Sequence, residues 1–168
     1  MSDTWVENTS AFDRVKSVAL TLSEPRTAGW IASEAQVSEN TARSHLTRLA
    51  DLGVLATTST EQGTGYAPDP IYTRSQDIRE LVDGRSEEEL AATAADVQEE
   101  LQEYRETYDS DSPEALRVSV ADADCSPDAA RERLEAASDW EYARYRLSLL
   151  RDALDHYDTY TTPRSASA

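Results

Sequence analysis

Thr27–Leu55, TAGWIASEAQVSENTARSHLTRLADLGVL, reads as two short helices joined by a tight turn and leading into a β-hairpin. The Thr27 hydroxyl can cap the free amides of a first helix, in which Trp30, Ile31 and Ala35 share one face. Gln36 and Val37 supply the turn. Ser38 then caps a second helix whose Ala42, Leu46, Leu49 and Gly53 form a single core-facing stripe. Gly53 can also stop that helix, since glycine enters the left-handed region at little cost. At about 100° per residue, Asn40, Arg43, Ser44 and Thr47 lie across the opposite side, flanked by Arg48 and Asp51. All of these but Asp51 can donate hydrogen bonds to phosphates or base edges. The major groove of duplex DNA admits one helix and presents donors and acceptors along its floor. Periodicity alone suits an ordinary packed pair of helices equally well, so the residues that follow carry the distinction.

Val54–Thr60 is rich in β-branched residues, Glu61-Gln62-Gly63-Thr64-Gly65 offers a flexible turn, and Tyr66 opens a second extended run toward Tyr72. A hairpin directly after a groove-reading helix is the winged variant of the helix-turn-helix. Thr27–Leu55 and Gly65–Leu90, GYAPDPIYTRSQDIRELVDGRSEEEL, resemble the winged helix-turn-helix regulators of salt-loving archaea, broadly of the ArsR, MarR and TrmB kind, over Ala11 to Tyr157. The resemblance implies that Ser38 to Arg48 enter the groove, that the Thr57 to Gly65 wing tip reaches the backbone or minor groove, and that C-terminal helices pair two subunits. The expected DNA-binding set is Thr27, Ser38, Asn40, Thr41, Arg43, Ser44, Thr47, Arg48, Thr57, Thr58, Gln62 and Thr64. Of these, Asn40, Arg43, Ser44 and Thr47 would face bases, and Thr27, Ser38, Arg48 and the wing residues would face phosphates. One departure is that the reader helix holds only Arg43 and Arg48 as permanent cations, with Glu39 near its tip.

The formal charge is −17, from 33 acids against 16 bases, and the only Lys is Lys16. An acidic surface repels nucleic acid over long distances. In molar salt, however, the Debye length shrinks to about 3 Å and contact-range hydrogen bonds decide binding. The acid-rich, Lys-poor composition suits such a salt-adapted surface. The charge is uneven: residues 1–72 hold 9 acids and 5 bases, and residues 73–168 hold 24 acids and 11 bases. The proposed reader lies in the less acidic part.

The organisation expected is mainly α: a lead-in over 1–9, a winged helix-turn-helix with a small hairpin over 10–72, a helical dimerisation or regulatory region over 73–160, and a disordered tail over 161–168. Trp5 and Val6 can dock on the core or a partner. Ser10 caps a first helix with Phe12, Val15, Val18, Ala19 and Leu22 inward and with Arg14 and Lys16 as surface charges, ending at Ser23-Glu24-Pro25. Pro68-Asp69-Pro70 turns the chain back with Ile71 and Tyr72 as anchors, and a short helix runs from Ser75 to Val82. Ser86-Glu87-Glu88-Glu89 matches a capping box. The long helix it starts carries a heptad seam of Leu90, Ala94, Val97, Leu101, Tyr104 and Tyr108. A connector with a short helix from Ser112-Pro113 precedes a last long helix starting at Ser126-Pro127, with Trp140, Ala143, Leu147, Leu150, Leu154 and Tyr157 on its seam. The seams can close within one chain. Pairing between subunits through Leu90, Val97, Leu101, Tyr104, Tyr108, Trp140, Leu147, Leu150, Leu154 and Tyr157 is the favoured expectation, because a lone helical hairpin buries little.

No arrangement of residues suggests catalysis. His45 and His156 have no neighbouring ligand pattern, and no glycine loop suits a phosphate. His45 reads as a packed side chain. Cys125, the only cysteine, rules out an intrachain disulfide or zinc ribbon. The chain is therefore expected to be a non-enzymatic, soluble, cytoplasmic homodimer on double-stranded DNA, without metal, cofactor or membrane contact. Tyr104, Tyr108, Trp140 and Tyr145 can line an effector site but more simply fill the core. The alternative is a winged protein-interaction adaptor that does not touch DNA.

Overall fold

The computed structural model describes residues 8–121 and 126–162, which divide after Gln76 into two compact units. Expectations for Trp5, Val6, Cys125 and the end of the tail fall outside the described residues.

In the N-terminal unit, α1 (Ala11–Leu20) starts where the Ser10 hydroxyl accepts from the Asp13 amide. It is followed by a two-residue strand β1 (Arg26–Thr27), α2 (Ala28–Ala35), α3 (Glu39–Asp51) and the hairpin strands β2 (Leu55–Thr60) and β3 (Gly63–Pro68). All three strands are antiparallel in the order β1-β3-β2, with Arg26 opposite Tyr66 and Thr27 opposite Gly65. Val15, Ala19, Ile31, Ala42, Leu46, Leu49, Leu55 and Tyr66 fill the core between helices and sheet.

Three local expectations in this unit are corrected. Trp30 does not share the buried face of Ile31 and Ala35: it is 40% exposed, with the Arg26 guanidinium 5.1 Å from the ring centre. Arg14 is no surface charge but is 7% exposed, because its Nε donates to the Ala35 carbonyl at 2.9 Å and another guanidinium nitrogen to the Thr9 carbonyl at 2.6 Å. The hairpin turn is Glu61-Gln62 alone, with Thr60 paired to Gly63. Gly65 lies within β3, where a Cβ would stand 2.8 Å from a Thr60 methyl and 3.0 Å from Pro25. It is therefore a close-approach glycine, needed because the Thr60 methyl of β2 and Pro25, just before β1, crowd that face.

The second extended run also ends earlier than expected, at Pro68. The Asp69 carboxylate accepts from the amides of Ile71 and Tyr72 at 2.9 and 3.0 Å, so α4 begins at Pro70 and runs to Val82. Proline at the first helical position costs no hydrogen bond. Ile71 is 81% exposed and anchors nothing.

In the C-terminal unit, α5 (Glu87–Tyr108) starts at a complete capping box: the Ser86 hydroxyl accepts from the Glu89 amide, and the Glu89 carboxylate accepts from the Ser86 amide. A short α6 (Pro113–Ser119) leads to α7 (Pro127–Asp155), and α8 (Tyr157–Thr161) closes the described chain. The seams of α5 and α7 pack on each other inside the one chain: Leu90, Val97, Leu101, Trp140, Leu147 and Leu150 are all buried, with Tyr104, Tyr108, Leu154 and Tyr157 against them. Their assignment as subunit contacts is thus corrected. A side chain already enclosed by its own chain is unavailable to a partner unless the unit opens. Tyr104 stacks on Trp140 with ring centres 5.7 Å apart, which places these aromatics in the core. Ion pairs of Arg117 with Glu141 and Arg144 with Glu114 tie α6 to α7.

The helix expected through Tyr157 breaks at His156, and Tyr157 instead donates its hydroxyl to the Arg85 carbonyl at 2.7 Å. The first residue of the expected disordered tail is likewise ordered: Thr161 ends α8 and its hydroxyl donates to the Tyr157 carbonyl at 2.8 Å.

Candidate nucleic-acid interface

The geometry of α3 follows from its two ends. Gln36 takes a left-handed conformation, φ 52°, which stops α2 and turns the chain. The Ser38 hydroxyl then accepts from the Thr41 amide at 3.2 Å and starts α3. Gly53, φ 72°, ends the connection to the hairpin. With both ends fixed, burying Ala42, Leu46 and Leu49 forces Asn40, Arg43, Ser44, Thr47 and Arg48 to the exposed side. His45 lies at the margin of the buried stripe, edge-on to Phe12 with ring centres 5.5 Å apart.

The exposed side chains are not equivalent. Arg43 forms an i,i+4 ion pair with Glu39 at 2.5 Å. Among the described residues, no side-chain hydrogen bond or ion pair engages Asn40, Ser44, Thr47 or Arg48. Ser38 and Thr41 share a hydrogen bond of 2.8 Å between their hydroxyls, and Thr41 is only half-exposed. These two therefore serve the helix start first. Thr27 has a double local role: it pairs in β1 and its hydroxyl accepts from the Trp30 amide at 3.3 Å.

The hairpin does not present its threonines together. Successive residues of a strand point to opposite faces. Thr58 and Thr60 lie on the side where Gly65 meets Pro25, so Thr57, across from Tyr66, and Thr64, across from Ser59, lie on the other. Gln62 sits at the exposed turn. It borders a cleft of about 300 Å³ lined also by Pro25, Arg26, Thr27, Trp30, Thr60 and Glu61. Arg26, held over Trp30 and paired with Glu24, adds a third exposed cation to the two on α3. Sequence reading passed over it because it lies outside the helix. The signal was available in the dipeptide Arg26-Thr27, which extends just before a capped start.

The charge of the two units differs. Residues 1–76 hold 9 acids and 6 bases, net −3, whereas residues 77–168 hold 24 acids and 10 bases, net −14. Among the described residues, no cluster of three or more His, Cys, Asp or Glu is placed to hold a metal ion, and no helix is long and apolar enough to cross a membrane.

A family model matches residues 9–159, so the chain belongs to that family, a family of unknown function designated DUF7342. No curated protein and no solved structure matches it.

Proposed function

We propose that the N-terminal unit is a winged helix-turn-helix of the ArsR, MarR or TrmB type, and that the protein is a transcriptional regulator binding specific double-stranded DNA sequences. The observation that carries this reading is the outer face of α3, where Asn40, Ser44, Thr47 and Arg48 stand exposed with no side-chain partner beside Arg43. A helix that leaves four polar side chains unpaired on the side opposite its buried stripe has the donors a major groove requires. In this reading α3 enters the groove, β2 and β3 form the wing, and Arg26, Arg48, Thr57, Gln62 and Thr64 approach the backbone. Phosphate contacts set position and register, and the α3 residues supply sequence preference.

The regulator would act as a homodimer in the cytoplasm, giving two readers on a two-fold site. Its subunit contact must lie on a surface other than the α5–α7 seam. A second reading, an interaction adaptor without DNA contact, is favoured by the net −14 of residues 77–168. Crosslinking of the native protein to chromatin followed by sequencing separates the two. Discrete peaks sharing a motif are expected, whereas uniform coverage together with recovery of one defined protein partner would replace the regulator by the adaptor.

A further inference from the structure

We propose that Glu39 and Arg43 act as one reading unit that selects a guanine in one base pair and a cytosine in the adjacent pair. This rests on the DNA-binding reading above and adds the composition of the target. The two residues are four apart on α3, and both side chains are 56% exposed. Glu39 is held from behind as well: a carboxylate oxygen lies 3.5 Å from the position of a Cβ on Gly29, so it rests against the first turn of α2. The free amides of that turn favour a negative group.

The chemistry of the pair matches one base composition. A guanidinium fork fits guanine O6 and N7, and a carboxylate accepts from the cytosine N4 amino group. Four residues of helix rise about 6 Å, yet the ion pair draws the two ends to 2.5 Å, less than the roughly 3.4 Å between successive bases of a strand. Both groups can therefore meet base edges of adjacent pairs while remaining joined. Where the base in the adjacent pair is thymine or guanine, the carboxylate meets acceptors, O4 or O6 and N7, which repel it, whereas adenine offers an amino donor beside its N7 and is penalised less. Glu39 thus discriminates chiefly by penalising wrong neighbours.

The test is selection from a random duplex library by the full-length protein, by Glu39→Gln and by Arg43→Ala, with sequencing of the bound pool. Wild type should enrich guanine at one position and cytosine at the neighbouring one. Glu39→Gln should keep the guanine and lose the cytosine preference by about tenfold, within the range of a single good base contact; Arg43→Ala should lose the guanine. A Glu39→Gln pool with the cytosine preference intact, or one bound more tightly at every sequence alike, overturns the proposal and leaves DNA binding standing. If wild type enriches no sequence at all, the regulator reading falls and this inference with it.

Discussion

Arg14 shows how much one residue's role depends on what surrounds it. It stands one position before the buried Val15, where the helical pattern alone allots it to the rim. In the fold the end of α2 arrives beside it, and the Ala35 carbonyl, one of the groups a helix leaves unpaired at its C-terminus, becomes its acceptor. Replacing Arg14 by Met keeps the apolar stem, removes both bonds and orphans the Ala35 carbonyl. Urea unfolding should show a loss of about 2–4 kcal/mol, since hydrogen bonds to charged groups and unsatisfied buried acceptors both count; a loss below about 0.5 kcal/mol, the level of an ordinary surface substitution, would return Arg14 to the surface role. On the exposed side, Arg43→Ala should weaken binding to the selected sequence by about 1–3 kcal/mol and relax the preference at one position. Arg26→Ala should weaken binding to all sequences alike and flatten the salt dependence. Gel shifts on matched and scrambled duplexes at several salt concentrations distinguish the two roles.

At the level of the element, capping chemistry was legible and the pairing of strands was not. Ser38, Ser86, Ser112 and Ser126 each accept from the amide three residues on, because a hydroxyl at a helix start has only local partners to find. β1 has just two residues and exists only because β3 comes alongside, so no periodicity announces it. The α5 start also makes the helical unit sensitive to acid. Bonds from the Ser86 amide and then the Ser86 hydroxyl hold the Glu89 carboxyl below the usual glutamate range, with Arg85 adding to the effect. A carboxyl depressed in the folded state stabilises fully above its unfolded value, about 4.3, and that contribution disappears as pH falls through the lower folded value. Glu89→Ala should therefore lower the midpoint of thermal unfolding near neutral pH, and its difference from wild type should shrink below about pH 4. Circular dichroism melts across that range would test this; a difference independent of pH would contradict it.

For the whole molecule, the seam between α5 and α7 now belongs to stability. Leu101→Ala should cost about 2–5 kcal/mol at every protein concentration and leave the sedimentation coefficient of the folded protein unchanged. A dissociated but fully stable variant would put the seam back between subunits. Charge acts at the same scale. With 24 acids against 10 bases in residues 77–168, self-repulsion opposes the compact state until salt screens it. Melting temperature should rise steeply from millimolar to molar KCl, and a flat response would remove the salt-adapted reading of the composition. DNA binding should depend only weakly on salt. Two cations assigned to phosphates in the DNA-binding reading, Arg26 and Arg48, limit the slope of log K against log salt to about −2.

The sequence by itself determined where α1, α2, α3, α5 and α7 start, which stripe of α3 is buried, and which residues up to Leu154 form the two heptad seams. These depend on contacts within a few residues and on a period the chain repeats. Tertiary structure alone decided that the seams close on each other within the chain, that Trp30 stays at the surface beneath Arg26, that Arg14 turns inward, and that the threonines of the hairpin divide between two faces. Each of those depends on which distant segment arrives alongside. A side chain's partner across a fold is set by the path of the backbone between them, and no local pattern of residue types encodes that path.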